Sequence, residues 1–82
     1  MNKEYILYNL KDANEQIIAI IRALNQDNLY DSLTFELDMN HLYHHLNTAW
    51  NARHSTKEAS DECSAENFSK WRQFPSDISM DI

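Results

Sequence analysis

The chain has 82 residues, a hydrophobic fraction of 43% with nine aromatic residues, and a formal charge of −6 from thirteen acidic and seven basic side chains. That length supports one hydrophobic core at most, so residues 1–82 are read as a single domain, and the composition argues against wholesale disorder. The acidic balance disfavours binding to a phosphate backbone, and no window of about 20 apolar residues offers a membrane span.

Glycine is absent and proline occurs once, at Pro75, so the usual signals for hairpins, bulges and phosphate-binding loops are missing. The expected class is all-α. Its first helix runs from Glu4 to Asn25, with Asn2 as N-cap and Ile6, Leu10, Ala13, Ile17, Ile20 and Leu24 recurring at spacings of 4, 3, 4, 3 and 4. Ile18 and Ile21 widen this stripe beyond what one neighbouring helix covers. Ile17, Ile18, Ile20 and Ile21 are therefore expected at an interface.

The segment Leu33 to Asp38 alternates apolar and polar residues and is read as an extended connector, with a helix carrying Leu29, Leu33 and Leu37 on one side as the competing reading. A second long helix is expected from an Asp38 N-cap to about Ser55, with Met39, Leu42, Leu46, Ala49 and Arg53 along one line. The polar stretch His54 to Ser64 resembles a linker in composition. A short third helix follows, capped by Ser64 and stopped by Pro75, and the tail from Ser76 to Ile82 either docks through Ile78 or frays. The expected architecture is a helical hairpin plus a short C-terminal helix, completed as a four-helix bundle by homodimerisation.

Four features invite a chemical reading. Asp38, His41 and His45 fall on one flank of the second helix, and two histidines one turn apart with a carboxylate are a candidate metal site. No second ligand motif supports it, and exposed histidines on an acidic helix are more commonly plain surface. Arg53 closes an apolar line and so needs an anion, either as a structural ion pair or in a site lined by Trp50, Asn51 and His54. The segment Phe68 to Pro75 interleaves aromatic and basic residues, which suits a core closure or a protein interface, so Trp50, Arg53 and Trp71 join the interface candidates. Cys63, the one cysteine, lies among acidic residues that oppose thiolate formation and has no disulfide partner in the chain.

These observations point to a non-catalytic interaction or regulatory module rather than an enzyme. No cofactor is expected. Its expected partners are itself and a protein with a basic surface, without nucleic acid or membrane, and its expected location is the cytoplasm, since a lone cysteine and no signal-peptide pattern fit a reducing compartment. The alternatives are a small metal-binding protein using Asp38, His41 and His45, and an acidic mimic of nucleic acid.

Overall fold

The structure is a computed structural model and describes residues 1–81. Its elements are α1 (Lys3–Gln26), α2 (Ser32–Asn51), α3 (Lys57–Glu62) and α4 (Ala65–Trp71), with no strand among the described residues. The two long helices pack together as a hairpin and α4 packs on α2.

Helix α1 starts where a cap is available. The Asn2 side chain accepts a hydrogen bond from the Tyr5 amide at 3.1 Å, and its Nδ2 donates to Ser55 Oγ and Ser60 Oγ at 3.3 and 3.1 Å. One side chain thus caps α1 and fastens it to the connection beyond α2. The hairpin turn is built from aspartates: Asp27 Oδ1 accepts from the Leu29 amide, and Asp31 caps α2 by accepting from the Thr34 amide at 2.9 Å and its hydroxyl at 2.8 Å.

The Asp31 cap decides the ambiguous segment. Residues 33–38 form the first turns of α2 rather than an extended connector, and Asp38, read as the N-cap, lies two turns inside the helix. A helix satisfies this segment's backbone groups internally, whereas a lone strand would leave them without partners. Consequently Leu33 and Leu37 face outward and are exposed. The stretch read as a linker contains α3, which Thr56 caps by accepting from the Ala59 amide and which ends at Cys63 in the left-handed conformation, φ 42°. Helix α4 begins at the expected Ser64 cap.

The buried line of α1 is rotated from the expected seam. Asn9 and Ala13 are each 2% exposed and Ile20 is 6% exposed, whereas Leu10, Ile17 and Leu24 remain 44%, 39% and 60% exposed. The reason is the partner face. Helix α2 meets this line with His45, whose ring bonds Asn9, and with Leu42, which packs with Ala13 and Ile20. The apolar core is correspondingly small, formed by Ala13, Ile20 and Leu42 with Met39 against them.

Candidate functional site

On one flank of the hairpin seam, a polar chain runs from α1 into α2. Asn9 Nδ2 donates to the Tyr5 carbonyl at 3.0 Å, which turns Asn9 Oδ1 toward His45 Nδ1 at 3.1 Å. His45 Nδ1 therefore carries the hydrogen, and its Nε2 is left as an acceptor for His41 Nε2, 3.1 Å away. Asp12 Oδ2 lies 3.8 Å from the same His45 nitrogen. Burial lowers the pKa of His45, opposed by the Asp12 charge and aided by His41, and burial together with His45, Arg72 and His41 lowers that of His44.

Asp38 is not part of this chain. Its carboxylate accepts from the Tyr30 hydroxyl at 2.7 Å, bracing the hairpin turn against α2. Among the described residues, no group of three or more His, Cys, Asp or Glu side chains is arranged to hold a metal ion. His41 and His45 do meet, as their spacing of one turn requires, but the groups that complete their surroundings, Asn9 and Asp12, come from the other helix.

The aromatic and basic segment that spans the end of α4 is fastened by amides. Asn47 donates to the Arg72 carbonyl at 3.0 Å, and Asn51 donates to the carbonyls of Trp71 and Gln73 at 2.8 and 2.6 Å. Trp71 is buried and packs edge-on against Tyr5, with ring centroids 5.8 Å apart. Next to it a cavity of about 150 Å³ is lined by residues including Asn9, His44, Thr48 and Phe68.

The anion required by Arg53 is Asp77. Arg53 lies 4.0 Å above the Trp50 ring and reaches Asp77 Oδ2 at 3.4 Å, while Trp50 Nε1 donates to Asp77 Oδ1 at 2.8 Å. The Trp50 hydrogen bond, and with it the Arg53 charge, holds the Asp77 carboxyl below the usual carboxylate range. The tail thus docks through Asp77 while Ile78 stays half exposed, and Ile82 lies outside the described residues.

The other flank of α1 is bare. Taking 100° per residue, Leu7, Leu10, Ile17, Ile18, Ile21 and Leu24 fall within about 120° of arc beginning beside the buried line, on the side away from Asp12. All six are exposed, Leu7 and Ile21 by 53% and 54%. Ile20 and Trp71 are enclosed within the chain, and Trp50 and Arg53 are engaged by Asp77, so of the seven interface candidates Ile17, Ile18 and Ile21 remain presented to the outside.

No family model, curated protein or solved structure matches the chain.

Among the described residues, no helix is long and apolar enough to cross a membrane. With no resemblance to lend a function, the bare flank of α1 is the feature that most needs one: contiguous apolar surface of this kind on a folded domain marks an interaction site or an aggregation hazard.

Proposed function

We propose that the chain is a non-catalytic protein interaction module of regulatory or adaptor type, and that its bare α1 face is the docking surface. The observation that carries this reading is the position of the apolar residues. A helix of 24 residues places only Asn9, Ala13 and Ile20 fully inside, and its four largest ridge residues by exposure, Leu7, Ile18, Ile21 and Leu24, face away from the rest of the chain. A fold whose own core is this small gains most by burying that ridge against another helix.

The partner supported best is a second copy of the chain, giving a bundle of four long helices from two hairpins. The acidic remainder of the molecule then faces outward and suits a partner with a basic surface. The unpaired thiol of Cys63 fits a reducing compartment such as the cytoplasm.

Light scattering across a concentration series tests the reading. The expected mass is twice the 9.7 kDa of one chain. A mass of one chain at high concentration, with helical structure intact, removes self-association from it.

A further inference from the structure

We propose that the second copy lies antiparallel along α1, in a register that sets Leu7 against Leu24, Leu10 against Ile21 and Asn14 against Ile17 of the other chain. This rests on the interaction-module reading above and specifies its geometry.

The first support is the spacing of the exposed residues. Leu7, Leu10, Asn14, Ile17, Ile21 and Leu24 are separated by 3, 4, 3, 4 and 3, a strict coiled-coil seam with Leu7, Asn14 and Ile21 at one core position and Leu10, Ile17 and Leu24 at the other. Every member is exposed. The flanking line through Ala13 and Ile20 is already buried in the hairpin, so this seam is a second, independent one on the same helix.

The second support is self-complementarity. An axis passing between residues 15 and 16 maps the seam onto itself, because in antiparallel helices each core position of one kind packs beside the other kind. Leucine and isoleucine then meet leucine and isoleucine in four of the six layers. The two copies of Asn14, the only polar residue in the seam, occupy the two layers beside the axis. A shift of one heptad leaves Leu7 or Leu24 of each chain without a partner.

Charge selects the direction. Helix α1 carries Lys3, Lys11 and Arg22 against Glu4, Asp12 and Glu15, so it is neutral and the whole formal charge of −6 lies elsewhere. Two such chains repel least when they meet at this helix. Lys3 continues the seam one step before Leu7, and the antiparallel register brings it to the C-terminal end of the other copy's α1, where Asp27 is the cap residue. A parallel pair sets Lys3 against Lys3 and crowds the acidic hairpin turns, Asp27 and Asp31, against their own copies.

Single cysteines on the ridge test the direction, in the full chain with Cys63→Ser to remove the native thiol. Light scattering of the unmodified chain and of each variant first reports whether a dimer forms. A short thiol cross-linker is then applied to Leu10→Cys alone, and to Leu10→Cys mixed with Ile21→Cys after exchange of chains. The expected result is a covalent heterodimer in the mixture and at least tenfold less product from Leu10→Cys alone. Efficient cross-linking of Leu10→Cys to itself, or no product in the mixture while the protein stays dimeric, overturns the antiparallel register and leaves self-association standing. A monomeric unmodified chain overturns both.

Discussion

Asn9 makes the clearest case for a polar residue holding two helices together. It is buried, its amide is oriented by the Tyr5 carbonyl, and its oxygen receives His45 Nδ1. Replacing it with alanine leaves a buried imidazole N–H without an acceptor, a loss of about 1–3 kcal/mol. Urea denaturation of Asn9→Ala measures it, and an unchanged midpoint would mean that the hydrogen bond contributes nothing net. The same arrangement sets a pH response. His44 and His45 have pKa values lowered from 6.5 in the folded chain, so the unfolded chain takes up protons first as pH falls. Their contribution to stability is therefore present above about pH 6.5 and is lost as pH falls through the folded values. Asp12 opposes the loss at His45, whereas His41 and Arg72 favour it at His44. The melting temperature is expected to drop from pH 7 to pH 5, and His44→Gln should shrink that drop; a flat profile in the parent chain would show that neither histidine is kept neutral by the fold. Asp77 works at lower stakes. The Asp77 end of its pair with Arg53 is open to solvent, and ion pairs of that kind contribute little to stability.

At the level of elements, capping explains what periodicity left open. The alternation over Leu33, Phe35 and Leu37 has the period of a strand, but the same leucines are also spaced by four from Leu29, as in a helix. Asp31 resolves it, by holding the Thr34 amide and hydroxyl at the first turn. Asp31→Ala is expected to cost about 0.5–2 kcal/mol and to fray the first turns of α2, read as faster amide exchange over residues 33–37 than over 42–49. Uniform exchange along α2 would remove the cap from that role. Helix α1 was legible because it repeats its apolar residues through six turns, α4 because Ser64 and Pro75 bracket it, and α2 only in its later turns. Helix α3 was not, since six polar and small residues carry no apolar period and are held by Thr56 and the Asn2 clamp. The site was half legible. The meeting of His41 and His45 follows from their spacing on one helix, but Asn9 and Asp12 reach them from a helix some 30 residues earlier, and no pattern within one element reports that contact. The seam of α1 was misplaced for a related reason. Periodicity shows that a helix has an apolar stripe; which edge of the stripe is covered depends on the neighbour, here on Leu42 and His45 of α2.

For the molecule as a whole, the rotated seam changes what ridge substitutions do. The expected seam position of Ile17 would make an aspartate there damaging to the fold, but at 39% exposure its larger cost falls on the pairing of two chains. Ile21, more exposed still, separates the two effects: Ile21→Glu is expected to leave the monomer's melting temperature nearly unchanged, as exposed substitutions generally do, and to shift the protein to single-chain mass. Unfolding of the monomer by this change would place Ile21 in the core instead. Salt then distinguishes an apolar contact from an ionic one. Two chains of charge −6 with centres about 21 Å apart, the shortest extent of one chain, repel by about 7 kcal/mol in salt-free water. Two exposed Lys3 to Asp27 pairs return at most about 1 kcal/mol each, so repulsion dominates. The screening length falls from about 30 Å at 0.01 M salt to about 8 Å at 0.15 M. The repulsion is largely screened over that range while burial of the leucines and isoleucines is not weakened. The dissociation constant of the dimer is therefore expected to fall when salt is raised from 0.01 to 0.15 M, measured by sedimentation equilibrium. A rise over the same range would mean that opposite charges hold the chains together, and that the bare ridge of α1 is not where they meet.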